Sequence, residues 1–438
     1  MLSSVSRAFK TPDLRKKLLF TLSILVIFRL GATIPAPGVN YQAVSQCVDL
    51  ASASSGGVFA VINMFSGGAL LHLSVFALGI MPYITASIVL QLLTVVIPRL
   101  ESLKKEGPSG TAKITQYTRY LTVALALLQA TGLAATIRSG ALLSSCPYSS
   151  QIMSDPSVYT MILMIVTMVA GTTVIMWLGE LITERGVGNG MSLLMFTSIA
   201  ATFPASLWAV KQQGGILGGW FNFAMVVLLG LVLVCLVVFM EQAQRRIPLS
   251  YAKRMVGRKH YGGATTYLPL KVNQAGVVPV IFASSLLYLP SLIVGFSGST
   301  AGWAVWIQKH LSPGSDPVYL TLDFLMIVFF AFFYVSISFN TDDIAEQLLQ
   351  SGGFVPGIRA GRPTASYLKY VVSRITWPGS LYLGLIAMVP TLGLVLFNSG
   401  QNMPLGGTSL LIIVGVGLDT VKQIDSKLHQ HDYGGFLR

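Results

Sequence analysis

Charge is scarce in this sequence. Only 10% of its 438 residues are Asp, Glu, Lys or Arg, and the acids number just 16. A chain so poor in charge, with 53% hydrophobic residues and a mean hydropathy of +0.69, falls outside the soluble globular class. It reads as a polytopic membrane protein, and its repeated long apolar runs agree. Cysteine is scarcer still: Cys47, Cys146 and Cys235 show neither metal-ligand spacing nor a disulfide framework. Cys47 and Cys146 could share the outer face and pair, although unpaired thiols are the simpler reading. No apolar run carries the paired Asp, Glu or His that relay protons or bind a coupling cation. A phosphate loop, a metal cluster and a nucleophile–base pair are missing too, so no enzyme chemistry and no cofactor is expected. Asp323 and Asp419 fall near the ends of apolar runs and are expected to face water.

What is present centres on the stretch from Val58 to Val96. Its second part, Leu70 to Val96, has no Asp, Glu, Lys or Arg and is long enough to cross a bilayer of about 30 Å. Its first part is apolar but too short to span, and Ser66-Gly67-Gly68 divides the two. A short apolar piece hinged onto a span must lie within protein or line a cavity, because unpaired backbone cannot face lipid. The span contains Gly79-Ile80-Met81-Pro82-Tyr83-Ile84, and Gly276-Val277-Val278-Pro279-Val280-Ile281 repeats its Gly-x-x-Pro-x-Ile spelling. Two halves with one broken helix each point to a central pathway.

Further spans are expected at about Leu18–Ile34, Tyr120–Ile137, Val158–Leu178, Met191–Trp208, Phe223–Met240, Ala275–Val294, Tyr319–Phe339, Ile375–Phe397 and Gly407–Thr420. With Leu70–Val96 they make ten, so both termini share one side. Of the 29 Lys and Arg, only Arg138, Lys211 and Lys309 lie on the other side, and Arg29 is within the first span. That asymmetry puts the termini in the cytoplasm. Arg29 is expected to snorkel to the outer interface in preference to an ion pair within the bundle. Five spans per half is odd, so residues 1–210 and 211–438 must repeat in inverted orientation.

Two cytoplasmic loops exceed what topology requires. Residues 241–273 hold Arg245, Arg246, Arg258 and Lys259, and alternation at Ile247, Leu249 and Tyr251 predicts a hairpin. Residues 340–374 hold Asp342, Asp343, Pro356-Gly357 and Arg359. Their length favours docking of a cytoplasmic partner over a purely topological role. The suspected pathway is lined by Ile, Val and Met, and an apolar constriction can hold a pore shut by dewetting. An ion-coupled small-molecule transporter is the competing reading, although no midplane ion site supports it. A membrane scaffold leaves the hinged apolar segment unexplained.

Several blocks together resemble the bacterial SecY family, the channel subunits of the Sec protein translocon. They are Asn63 to Ala69, Ala77 to Ile84, Ile182-Thr183-Glu184-Arg185-Gly186 to Gly190, Leu268 to Asn273, Phe354 to Arg359 and Gly406 to Leu411. The resemblance runs in order along essentially the whole chain. It implies an all-α fold of ten transmembrane helices, in two inverted five-helix halves around an hourglass pore with a plug and a lateral gate. It implies a pore ring of Ile80, Ile84, Met191, Met195, Ile281 and Ile412, where the two Met depart from the branched residues expected of the family. Residues 58–66 would be the plug, with Phe59, Ile62, Asn63, Met64 and Phe65. Thr85, Gln129 and Asn273 would form a polar cluster at the gate. Arg359 and the basic residues of loop 241–273 would contact the ribosome or the SecA motor ATPase. The implied activity is passage of unfolded secretory chains across the bacterial plasma (inner) membrane, with lateral release of membrane segments into the lipid bilayer. Implied partners also include the small subunits SecE and SecG, and signal peptides.

Overall fold

The computed structural model describes residues 9–40, 42–44, 66–70, 72–138, 157–212, 219–251, 254–256, 259–261, 265–297, 302–311, 316–397 and 407–434. Helices α1 (Pro12–Gly31), α2 (Met81–Val96), α3 (Pro98–Lys105), α4 (Pro108–Arg138), α5 (Val158–Arg185), α6 (Gly190–Gln212) and α7 (Gly219–Gln242) come first. Strands β1 (Gln244–Tyr251), β2 (Arg254–Val256), β3 (Lys259–Tyr261) and β4 (Thr265–Lys271) follow. Then come α8 (Val278–Ser297), α9 (Gly302–His310), α10 (Pro317–Ser338), α11 (Thr341–Gln350), β5 (Gly353–Phe354), α12 (Arg362–Phe397) and α13 (Gly407–Gly434). Several helices open on proline, whose fixed φ suits a first turn where the missing N–H costs nothing.

Each expected span falls at least partly on a helix, but helix and span do not share ends. Helix α5, the Phe223–Gln242 part of α7 and the run Pro317–Gln350 are long and apolar enough to cross a membrane. Helices α2 and α3 meet that test only as a pair bent by 100°. Gly190–Pro204 and Val278–Leu287 are shorter apolar helices. Helices α4, α12 and α13 run well beyond the apolar runs that announced them, because charge marks where a chain meets water and leaves the backbone free to stay helical.

The reading of Leu70–Val96 as one continuous span is corrected. The helix starts only at Met81, and the described residues before it form turns. Leu73 has φ +43° and Gly79 φ +58°, values that no helix accommodates. The turn stretch finds its backbone partners elsewhere: Ala36 N donates to Leu73 O at 2.9 Å, and Val75 N to Ile34 O at 2.9 Å. Such bonds help an irregular segment to lie inside the bundle.

The main apolar core draws on α1, α2, α5, α6, α7, α8, α10, α12 and α13. A second cluster packs Leu70, Leu73 and Ala77 of the turn stretch on Ala126, Ala130 and Ala134 of α4 and on Met164 and Met168 of α5. The expected hairpin is present, with β1 antiparallel to β4 and Ile247 opposite Leu268. Ile247 and Leu249 turn inward onto a third cluster with Leu348 and Leu368. Loop 340–374 supplies α11, the start of α12 and strand β5, which pairs with β1 through Ser250 and Phe354.

The turn between α5 and α6 is gripped from two sides. Val187 N donates to Thr21 Oγ1 of α1 at 3.2 Å, and Lys427 Nζ of α13 donates to Gly186 O at 3.3 Å. Burial first, and then the nearby Lys17 charge, pull the Lys427 ammonium below the usual lysine range. Leu14, Val187, Ile424 and Leu428 close over the same junction.

Candidate functional site

The two Gly-x-x-Pro-x-Ile motifs fold alike. Gly79 has φ +58° and Gly276 φ +60°. Each is followed by a helix with proline in its first turn. In the first motif Tyr83 N and Ile84 N both donate to Ile80 O, at 3.2 Å each. In the second, Val280 N and Ile281 N both donate to Val277 O, at 3.2 and 3.3 Å. A Cβ on Gly276 would meet nothing within 4 Å. Glycine is therefore required there by the left-handed backbone and not by space. The motifs are matched helix starts, and Ile84 and Ile281 occupy the same step of each.

The six ring candidates share the main core. Ile80, Ile84, Met195 and Ile412 are buried within it, and Met191 and Ile281 are half-buried against it. Their side chains come from the start of α2, from α6, from α8 and from α13, so both halves of the chain contribute. Side chains of this kind offer van der Waals contact and no strong hydrogen bond.

Arg29 is exposed near the end of α1. Its guanidinium Nη1 donates to the carbonyl of Gly67, in the turn that follows the short apolar segment. Gly67 and Gly68 have φ +69° and +89°. A Cβ on Gly67 would sit 3.1 Å from Ser198 Cα of α6, so the turn is wedged between α1 and α6. The plug candidates Phe59, Ile62, Asn63, Met64 and Phe65 lie outside the described residues, as do Cys47 and Cys146.

Thr85, Gln129 and Asn273 are all buried, at 7%, 8% and 5% exposure. The hydrogen bonds of Thr85 and Asn273 go to other groups. Thr85 Oγ1 donates to Met81 O of its own helix. Asn273 Nδ2 donates to Glu241 Oε2 at 2.9 Å and to Gly276 O at 3.2 Å. Glu241, expected to open a solvated loop, is only 4% exposed. The sequence offers one faint signal for it, an acid directly abutting an apolar run. Asp323 is also corrected: it is buried in α10, and its Oδ1 has no hydrogen-bond partner among the described residues. Asp419 is half-exposed and pairs with Lys271 at 3.6 Å. A further missed contact joins α4 to α5, where the Arg119 guanidinium donates both Nε and Nη2 to Glu180, at 2.9 and 2.8 Å. Bidentate geometry of this kind fixes orientation as well as distance.

Of the docking candidates, Arg245, Arg246 and Arg359 are exposed. Arg359 follows Gly357, at φ +85°, and its carbonyl accepts from Thr364 Oγ1 at 2.8 Å. That bond ties the exposed turn to the start of α12. Lys259 lies in β3, and Arg258 lies outside the described residues.

Apolar helices, two matched helix starts and an irregular stretch tucked among them define a polytopic membrane protein with the protein-conducting-channel fold. A solved SecY structure concerned with its plug domain superposes with TM-score 0.63 at 18% identity, covering 93% of this chain and 91% of that one. Sec61 from a canine ribosome–channel complex superposes with TM-score 0.62 at 17% identity, with the same coverage. The SecY family model matches residues 74–421. The protein translocase subunit SecY of Streptomyces scabiei is 68% identical over 438 residues, and that of Mycobacterium leprae 55% over 448, each with full coverage of both chains. The chain belongs to the SecY family.

Proposed function

We propose that this chain is the protein-conducting subunit of a bacterial Sec translocase. It passes unfolded secretory chains through its apolar collar and releases membrane segments sideways between its halves, 1–210 and 211–438. The observation that carries this reading is the matched pair of helix starts, which puts Ile84 and Ile281 on one apolar core built from both halves. The seam between α8 and the pair α2 and α4 is the lateral exit, and Thr85, Gln129 and Asn273 sit along it. The segment around Phe59 to Phe65 is the plug, consistent with the role of the plug domain in a SecY of the same fold, where it stabilises the closed state. Ten spans with cytoplasmic termini in the plasma membrane fit the charge asymmetry.

No chemistry is asked of such a collar, so the driving energy comes from a partner. The exposed Arg245, Arg246 and Arg359 suit the phosphates of a ribosome or the carboxylates of the SecA motor. Sec61 in the canine complex and the yeast Ssh1 complex are both ribosome-bound. SecE and SecG are the proposed membrane partners, and signal peptides and unfolded chains the cargo. Reversing charge at Arg359 separates docking from conduction. In Arg359→Glu the folded, inserted protein is expected to lose about tenfold in motor-driven export into vesicles, through like-charge repulsion at the contact. Parent-like export would remove Arg359 from the docking surface. Substrate-dependent flux of a small solute through this chain alone would favour the transporter instead.

A further inference from the structure

A short helix between two spans has no part in conduction. Helix α9, Gly302–His310, reads GWAVWIQKH and lies between the end of α8 at Ser297 and the start of α10 at Pro317. Nine residues make a rod of roughly 14 Å, too short to cross a bilayer. Trp303 and Trp306, one turn apart, are 52% and 53% exposed. The helix is nevertheless held in place. It packs against α8, and the ring of His310 lies 5.2 Å from that of Trp306, centroid to centroid. His310 Nδ1 donates to Asp316 Oδ2 at 2.9 Å. Asp316 occupies the N-cap of α10, yet its side chain makes no cap bond. A carboxylate placed to cap α10 thus holds the last residue of α9 at the mouth of that helix.

An exposed indole suits neither bulk water nor hydrocarbon, because its ring is apolar and its N–H needs an acceptor. The headgroup and carbonyl layer of a phospholipid leaflet satisfies both. Position favours that layer over a protein partner. Helix α9 joins the outer ends of two spans, and α10 exposes Val318, Leu325 and Phe329 at the spacing of one lipid-facing stripe. Trp220, at the outer start of α7, is exposed as well. We propose that α9 is an interfacial anchor, lying in the plane of the outer leaflet with Trp303 and Trp306 seated among phospholipid headgroups. The bridge from His310 to Asp316 holds it there, so the anchor sets the depth of the outer ends of α8 and α10. This rests on the ten-span topology, which puts α9 outside.

The test is the depth of the two indoles, read on the assembled complex in phosphatidylcholine vesicles whose lipid carries bromine near the headgroup or near the chain ends. Emission of the pair is the difference between the parent and the double variant Trp303→Phe with Trp306→Phe. It is expected to be lost to bromine near the headgroup, and far less to bromine near the chain ends or to iodide in the outer water. His310→Ala, compared with the same double variant in its own background, is expected to shift quenching from lipid toward iodide. If the double variant fails to fold, a polarity-sensitive dye on Gly302→Cys decides with the same quenchers, since a Cβ there meets nothing within 4 Å. Quenching by iodide alone would put the indoles in water and overturn the anchor. Quenching by none of the three would put them under a protein partner, and strongest quenching from the chain ends would put them along a span; either result overturns it too. Unchanged quenching in His310→Ala would overturn the part given to the bridge. A thiol reagent that cannot pass membranes, applied to intact cells, tells the two readings apart. If it labels Gly302→Cys above the parent while the indoles stand in water, the anchor alone is wrong. If it labels Gly302→Cys only after the cells are opened, the topology falls and takes the anchor with it.

Discussion

A chain carrying Ile84→Ser and Ile281→Ser together is expected to leak ions at rest. The two residues take the same step of matched helix starts, each with its N–H bonded to the carbonyl four residues earlier, Ile80 for Ile84 and Val277 for Ile281. Ile84 is buried and Ile281 half-buried on one core. Each isoleucine withholds apolar surface from water worth about 1.5 kcal/mol at the low end of full burial. Two such losses sum to about 3 kcal/mol, or roughly a hundredfold shift toward a hydrated collar. Serine adds a hydroxyl that gives water a partner, which further favours wetting. Deleting Phe59 to Phe65 as well is expected to enlarge the leak, because nothing then covers the wetted collar. Export itself should continue, with weaker discrimination against poor signals. Planar-bilayer conductance of the resting complex makes the comparison. A double variant as tight as the parent would show that these side chains pack between helices and line no path.

Gly171→Leu is expected to be strongly destabilising. Gly171 lies in α5, and a Cβ there would sit 2.1 Å from Val75 O and 2.9 Å from Val75 C. Those are backbone atoms of the turn stretch, held in place by the bond from Val75 N to Ile34 O. A side chain at 171 must push the stretch out or break that bond, and overpacking of this kind costs about 1–3 kcal/mol or more. Alanine already collides, so Gly171→Ala should show the same loss in weaker form. Gly417 in α13 provides the internal control, since a Cβ there meets nothing within 4 Å. Gly417→Ala should melt in detergent at or above the parent temperature, whereas Gly171→Leu should melt well below it or fail to accumulate. Equal melting for the two would mean that the stretch before Met81 is not seated against α5.

The sequence carries the matched motifs openly because their spelling records a backbone requirement. Left-handed glycine followed by first-turn proline is a local demand, and both copies obey it. The hairpin of β1 and β4 was equally legible from the alternation at Ile247, Leu249 and Tyr251, whereas β5, two residues long, has no periodicity to read. An apolar run states that a segment avoids water and is silent about where its helix begins. That is why Leu70–Val96 passed for one span while Leu73 and Gly79 break it. Polar partners far apart in the chain were hidden for a different reason. Arg29 meets a carbonyl 38 residues away and Glu241 an amide 32 residues away. Only the packing of α1 on the turn stretch, and of α7 on the start of α8, brings these groups together. Composition can count such residues but cannot pair them.

The central claim is that an unfolded chain passes between Ile84 and Ile281. Photoreactive side chains placed singly at the two positions, in the assembled complex holding a precursor arrested in transit, test it directly. The account predicts that both positions cross-link to the arrested precursor, and that neither does so before the precursor is added. Labelling of lipid or neighbouring helices alone from both positions, with the precursor captured elsewhere on the protein, would contradict it.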